Sequence, residues 1–380
     1  MSDTAIEAIL RRAVPQQSAG VGRGSAIIVS ASIGAGHDGA AREIGRRLRA
    51  AGRDVETYDF LDLLPPGWGR TLRSGYARQL AVAPNSWGGL LALAGRPAGT
   101  AAAVRLSIAA ARRRMRTVVT PGAGVVISTY PLASQVLGRL GLGVPVAAML
   151  TDPSVHPLCA APGCLHLAPN VAAARRIRDD FGLSAVTVSP VVDPRFRPAR
   201  TAADVLDGRR RNGLPPSERL AVVVAGSWGV GDIEATVRDL VATRAVVPVV
   251  VCGRNEALRR RLSREVIALG WVDDMPSLLR AADVVVHNAG GLSSLEAMAS
   301  GVPVISYRCL PGHGVANAAV LDQLGLSAWP RTPPDLMAVL RHGVDGDLRQ
   351  RQQGAYADLT ACRDVTDVLT GARTEPVLAA

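Results

Sequence analysis

The chain has 380 residues, 48% of them hydrophobic and 20% charged, which predicts two globular domains rather than one. Aromatics make up only 3%, so the cores must rest on Val, Leu, Ile and Ala. The formal charge is +11, carried by arginine alone because the sequence has no lysine; this favours phosphates and anionic membrane surfaces as partners, while the basic runs lack the motifs and interleaved aromatics of nucleic-acid binders.

No apolar run approaches the ~18–20 residues needed to span a bilayer. No secretory apolar region precedes Arg11 and Arg12. The cysteines at 159, 164, 252, 309 and 362 are odd in number and irregular in spacing, as reduced thiols would be. The expectation is a cytoplasmic protein, at most peripheral at the inner face of the cell membrane. Cys159 and Cys164 with His156 and His166 match no standard zinc spacing, so neither a metal nor a cofactor is expected.

Residues 1–24 are polar and Gly-rich and read as a flexible arm. Ser25–Ser30 reads as a buried strand, followed by a glycine turn and a helix over His37–Ala51 with Ala40, Ala41, Ile44 and Leu48 at helical spacing. Short apolar runs at Asp54–Phe60, Val125–Ser128, Val144–Leu150, Leu165–Ala168 and Ala185–Val188 continue the series. Helical patterns separate most of them, which predicts a doubly wound parallel sheet over 25–193. Between them, residues 64–116 carry Trp68, Tyr76, Trp87, Leu90, Leu91 and Leu93 among many arginines. That segment is either a membrane-touching surface or an ordinary amphipathic helix pair.

The Pro-rich stretch Pro190–Pro198 reads as an interdomain linker. A second alternating series then runs over 194–360, with strands at Leu220–Ala225, Val246–Cys252, Val266–Leu269, Val284–His287 and Val302–Tyr307. A last helical segment, Ala355–Thr370, leads into a C-terminal helix and tail over 361–380. Two such halves enclose a cleft at the carboxyl ends of their strands.

Two strand-to-helix turns stand out. Ser32-Ile33-Gly34-Ala35-Gly36-His37 places a histidine at a helix start, where a neutral imidazole accepts a proton. Asn288-Ala289-Gly290-Gly291-Leu292-Ser293-Ser294-Leu295-Glu296 removes side chains where a diphosphate would approach. Its first helical amides and the Ser293 and Ser294 hydroxyls are set to donate to that diphosphate. Glu296, one turn in, is placed to accept from a ribose diol, and Leu292, Leu295 and Met298 are expected to face the core. Further candidates are Gly226-Ser227 for the phosphates, the backbone of Gly270-Trp271-Val272 for a base edge, and Pro311-Gly312-His313 with Asn317 for sugar hydroxyls. Neither a P-loop nor GxSxG occurs.

The string GWVDDMPSLLRAADVVVHNAGGLSSLEAMASGVPVISYRCLPGHGVANAAVL, with SASIGAGHDGAA and TDPSVHP in the first half, resembles the monogalactosyldiacylglycerol synthases and processive diacylglycerol glucosyltransferases. More distantly it is similar to the peptidoglycan N-acetylglucosaminyltransferase. The resemblance implies a GT-B fold of two Rossmann-like domains, the first for the acceptor and the second for the nucleotide-sugar. It implies inverting, metal-independent transfer of a hexose or N-acetylhexosamine from a UDP-sugar to a lipid or lipid-linked acceptor. By the same resemblance His37 is the general base and Asp152 a candidate for assisting it, with Gly34, Gly36 and His156 on the acceptor side. Gly226 and Ser227 lie near the phosphates and Val272 near the uracil. Asn288, Gly290, Gly291, Leu292 and Ser293 cradle the diphosphate, Glu296 binds the ribose, and Pro311, Gly312, His313 and Asn317 meet the sugar. Relatives often read Pro-Gly-Gln-Glu where this chain has Pro311-Gly312-His313-Gly314, and Trp where it has Cys159. A transferase acting on a secondary metabolite, a UDP-sugar 2-epimerase and a non-catalytic UDP-sugar or lipid binder are the alternatives.

Overall fold

The computed structural model describes residues 24–82, 97–120, 122–344 and 346–371. The arm expected over 1–24 falls outside these except for Gly24, as do Trp87, Leu90, Leu91 and Leu93 and the side chain of Tyr76.

The first half runs β1 (Ser25–Ser30), α1 (Ala35–Ala50), β2 (Val55–Asp59), α2 (Trp68–Val82), α3 (Pro97–Val118), β3 (Ala123–Ser128) and α4 (Pro131–Leu137). It continues with β4 (Val146–Met149), β5 (Leu165–Ala168), α5 (Val171–Phe181) and β6 (Ala185–Thr187). The second half runs α6 (Ala202–Arg211), β7 (Leu220–Val224), α7 (Ile233–Thr243), β8 (Val247–Val251), α8 (Glu256–Leu262), β9 (Ile267–Leu269) and α9 (Met275–Arg280). After these come β10 (Val284–His287), α10 (Leu292–Ala299), β11 (Val304–Ser306), α11 (His313–Gln323), α12 (Pro333–Ala338), α13 (Asp347–Thr360) and α14 (Val365–Thr370).

Each half holds one parallel sheet. The first has the order β2-β1-β3-β4-β5-β6 and the second β11-β10-β7-β8-β9. Central strands of a parallel sheet are covered on both faces and therefore read as unbroken apolar runs. Ala26, Ile27, Ile28 and Val29 of β1 are all fully buried, with Ile28 registered between Thr57 of β2 and Ile127 of β3.

The strand orders decide where ligands go. Winding reverses between β1 and β3 in the first sheet and between β7 and β10 in the second. Connections leaving such a pair diverge to opposite faces and open a crevice at the carboxyl ends. The glycine turn before His37 leaves β1, and Thr129-Tyr130 leaves β3. Gly226-Ser227 leaves β7, and Asn288–Gly291 leaves β10.

Segment 64–116 has a packed face and an exposed one. Ala111 and Met115 of α3 are buried in one cluster with Phe60 and Val126, and Arg114 donates to the Leu64 carbonyl. Trp68, Leu72 and Leu106 are exposed.

The helix expected over Ala355–Thr370 is two helices. Asp364 ends the intervening turn by accepting from the Thr366 amide. This break lets α14 cross back onto the first half, where Val365 and Val368 share a core with Ala40 and Ile44 of α1. Buried Glu43 of α1 accepts from Arg46 Nε at 2.8 Å and Arg47 Nε at 2.6 Å. Arg47 also donates to Asp364 at 2.7 Å and to the Pro190 carbonyl at 2.9 Å. One guanidinium thus joins α1, the linker and the returning chain. Arg47→Ala takes this donor from Asp364 and the Pro190 carbonyl and is expected to destabilise the protein by about 1–3 kcal/mol in urea unfolding. Arg47→Lys should recover little, since an ammonium cannot reproduce the planar fork.

Candidate functional site

The crevice of the first half is built around His37, in the first turn of α1. Its Nδ1 lies 2.6 Å from the Thr129 carbonyl oxygen and 3.1 Å from Thr151 Oγ1. A carbonyl only accepts, so Nδ1 carries the proton and Nε2 keeps its lone pair. Desolvation lowers the imidazole pKa below 6.5; the charge of Asp152, the Thr129 bond and Asp38 oppose it less strongly. Tyr130 packs edge-on against the ring at 5.4 Å. The result is a neutral, oriented base at about pH 7. Asp152 was the expected assistant, yet Thr129 and Thr151 hold the ring, and Asp152 reaches His37 through charge alone. Gly34 caps α1 in an extended conformation with open space around it, and Gly36 lies beside Leu292 of the opposite half.

The crevice of the second half is the turn from β10 into α10. Asn288, Ala289 and Gly290 are each anchored. The Asn288 side chain donates to the Val230 carbonyl at 2.7 Å, tying this turn to the one after β7. The Asn288 carbonyl accepts from the Leu310 amide, and a Cβ on Gly314 would lie 2.8 Å from that same oxygen. The Ala289 carbonyl accepts from Asn317 Nδ2 at 2.8 Å. The Gly290 amide donates to His287 Nδ1 at 2.8 Å. Gly290 has φ +78°, and a Cβ there would stand 2.9 Å from Asn317 Cβ. The amides of Gly291, Leu292 and Ser293 open the helix and face the positive end of its dipole outward.

The two crevices face each other. Trp228 Nε1 donates to the Ile33 carbonyl at 3.2 Å, and the Ala35 amide to Ser227 Oγ at 3.3 Å. Asn317 Nδ2 donates to Asp152 Oδ1 at 3.1 Å, and its Oδ1 accepts from the Ser154 amide and hydroxyl at 3.2 and 2.5 Å. The same Asp152 oxygen stands 3.1 Å from where a Cβ on Gly291 would be. The proposed base and the proposed diphosphate cradle therefore share one closed cleft.

Several expectations need correction. Asn317 is fully buried and its amide is spent on Asp152, Ser154 and Ala289, so it joins the halves rather than meeting a sugar. Ser294 is buried with its hydroxyl on His287 Nε2, which leaves Ser293 as the hydroxyl beside the cradle. Leu292 does not face its own core: its Cδ2 fills the space over Gly39 of α1. His156 accepts from the Leu158 amide and caps the single turn at Pro157–Cys159. His166 has both nitrogens in backbone bonds, with the Ala161 amide and the Ser184 carbonyl. Burial pushes the Cys159 and Cys164 thiols up to about 12. Among the described residues no cluster of His, Cys, Asp or Glu is grouped to hold a metal.

Pro311, Gly312, His313 and Val272 take no part in these contacts. Pro311 and Gly312 are exposed, Gly312 caps α11 with φ +83°, and His313 opens that helix. Val272 follows β9, packed on the second core beside exposed Trp271. Arg254, absent from the expectations, stacks over Trp228 and Trp271 at 5.7 and 4.9 Å. His287 was also missed; a polar residue ending the run Val-Val-Val was the available signal.

With the geometry in hand, comparison with known proteins places the fold. Residues 229–341 match the family described as Glycosyl transferases group 1. TcCGT1, solved in complex with UDP, superposes with a TM-score of 0.57 at 12% identity, over 89% of this chain and 94% of that one. Anabaena Alr3699/HepE, solved in complex with UDP-glucose, gives 0.56 at 16% identity, over 92% and 98%. The architecture is GT-B: two Rossmann-like domains across a cleft. In sequence, the processive diacylglycerol β-glucosyltransferase of Staphylococcus aureus is 23% identical over 258 residues. That alignment covers 63% of this chain and 65% of the relative.

Glu296 reports on the closed cleft. Burial pushes its carboxyl up to about 8, aided by Asp193 and opposed by Arg42. A raised folded pKa favours the protonated form, so its stabilising contribution is complete below 4.5 and is lost as pH rises through about 8. Thermal melts from about pH 6 to about pH 9 should show that loss in the wild type, and Glu296→Gln, which mimics the neutral acid, should flatten it.

Proposed function

We propose that the protein is an inverting glycosyltransferase that moves a hexose or N-acetylhexosamine from a UDP-sugar to a lipid or lipid-linked acceptor, with a diacylglycerol-type acceptor first in line. The observation that carries this reading is the pairing, across one cleft, of the neutral His37 with the glycine turn that opens α10. The name of the Staphylococcus aureus relative specifies diacylglycerol, and the ligands bound to TcCGT1 and HepE are UDP and UDP-glucose.

In this reaction His37 Nε2 takes the proton of the acceptor hydroxyl as that oxygen attacks the anomeric carbon. The bond to the UDP oxygen breaks as the new one forms, which inverts the centre. The leaving diphosphate gains negative charge beside the Gly291, Leu292 and Ser293 amides and the N-terminus of α10. This supplies charge stabilisation from the chain itself and needs no metal. Glu296 is assigned to the ribose; Pro311, Gly312 and His313 to the sugar; Gly226 and Ser227 to the phosphates; Val272 to the uracil. The exposed Trp68, Leu72 and Leu106 and the arginines of α3 suit an anionic membrane surface. Among the described residues no helix is long and apolar enough to cross a membrane, so the proposed association is peripheral, from the cytoplasmic side.

A UDP-release screen pairing UDP-sugars with lipid and small-molecule acceptors tests the activity. His37→Ala is expected to lower turnover about 10²–10⁴-fold with UDP affinity nearly unchanged; wild-type turnover in that variant removes His37 from the mechanism. The acid limb of kcat/KM should have its midpoint below 6.5, because desolvation lowers the His37 pKa. Interconversion of UDP-sugars by NMR with no acceptor present would replace this reading with an epimerase. Release of UDP from no donor–acceptor pair, with UDP still bound, would replace it with a binding protein.

A further inference from the structure

The buried histidine beneath the glycine turn has no part in the chemistry described above. His287 is the last residue of β10 and is 3% exposed. Its Nδ1 accepts from the Gly290 amide at 2.8 Å. With Nδ1 accepting, the ring proton lies on Nε2. There it faces two fully buried hydroxyls, Ser294 Oγ and Ser306 Oγ, each at 3.1 Å. Ser306 lies 2.9 Å from Ser327 Oγ, which is in turn 3.2 Å from the Ala328 carbonyl oxygen and 3.3 Å from that of Val304. The carbonyls can only accept, so the chain has one direction. Gly290 N–H donates to the ring, the ring to Ser306, Ser306 to Ser327, and Ser327 to the backbone. Burial holds the imidazole neutral, with its pKa lowered to about 4, which keeps Nδ1 free to accept.

We propose that His287 is the positioning residue of the diphosphate cradle: by binding the Gly290 amide inward, it aims the next three amides at the nucleotide phosphates. The inference rests on the reading of this cleft as a UDP-sugar site. Gly290 and Gly291 both have positive φ, +78° and +80°, a conformation with many competitors in a glycine pair. Three other contacts fix the turn by its carbonyls and the Asn288 side chain. Among the described residues, only His287 bonds a peptide N–H of the glycine pair, and it hence sets the sense in which the following peptides turn. The imidazole also ties this turn to Ser294 inside α10 and to Ser306 on the neighbouring strand. The turn, the helix start and the sheet edge thus share one ring. His287 touches no substrate in this scheme and acts through the orientation of Gly291, Leu292 and Ser293.

Titration calorimetry of the full chain with UDP and with uridine separates this role from a general loss of structure. His287→Leu fills the space but accepts no hydrogen bond. It is expected to weaken UDP by about tenfold or more while changing uridine affinity less than about twofold, since the lost bond governs the phosphate contacts only. In His287→Asn the side-chain oxygen sits close to where Nδ1 was, and most of the UDP affinity should return. Amide hydrogen exchange supplies a readout that needs no ligand: Gly290 should lose protection in His287→Leu and regain it in His287→Asn, with the Val284–Val286 amides unchanged. Wild-type UDP affinity in His287→Leu, an equal loss for uridine, or unchanged protection at Gly290 would each overturn the proposal. A folded wild-type chain that binds no UDP would instead sink the function proposed above, and hydrogen exchange would still decide whether His287 holds the turn.

Discussion

The side-chain amide of Asn317 is a buried point at which the two halves of the protein meet. It is fully buried, and a buried amide left unpaired is costly. Here both ends are satisfied only because the cleft is closed: Nδ2 needs Asp152 as well as Ala289, and Oδ1 needs Ser154. Closure therefore places the Thr151–Ser154 segment, which also contacts His37, directly over the glycine turn. The base and the anion cradle are aligned by a contact that belongs to neither.

Burial also disfavours charge on three side chains in and beneath the cleft. Desolvation pushes His37 and His287 toward the uncharged imidazole and Glu296 toward the uncharged acid. The remaining attraction for an anion comes from oriented amides and a helix start, whose partial charges are fixed by the fold. Such donors need no rearrangement when charge develops on a leaving group. The many surface arginines act at longer range, where salt screens them.

How much of this was legible in the sequence follows from the distance over which each feature is decided. Central strands such as β1, β7 and β10 were readable because burial on both faces leaves an unbroken apolar run. β11 was expected over Val302–Tyr307 and covers Val304–Ser306. The glycine turns were readable because turn, strand end and helix start lie within ten residues. The identity of His37 as a base candidate was local too, but its tautomer depends on Thr129, 92 residues away. Asn317 was given to the sugar because its partners lie 163 and 165 residues away. The Ser293/Ser294 pair failed for another reason: neighbours on a helix point about 100° apart, so one faces the cleft while the other enters the core. Leu292 satisfies a helical apolar pattern equally well whether its surface is its own core or the facing domain.

The crossing of α14 has a mechanical consequence. The chain passes between the halves twice, after β6 and again before α14. The two passages lie side by side, with Val188 bridged to Arg363 and the Ser189 amide donating to the Arg363 carbonyl at 2.9 Å. Two passages pinned to each other at one point give the halves a common pivot. Opening would then be a swing about that pivot, like a door on its pin. On each return Asn317 would come back to the same carbonyl and carboxylate without a search, so the cleft could open for exchange of substrate and keep the memory of its register.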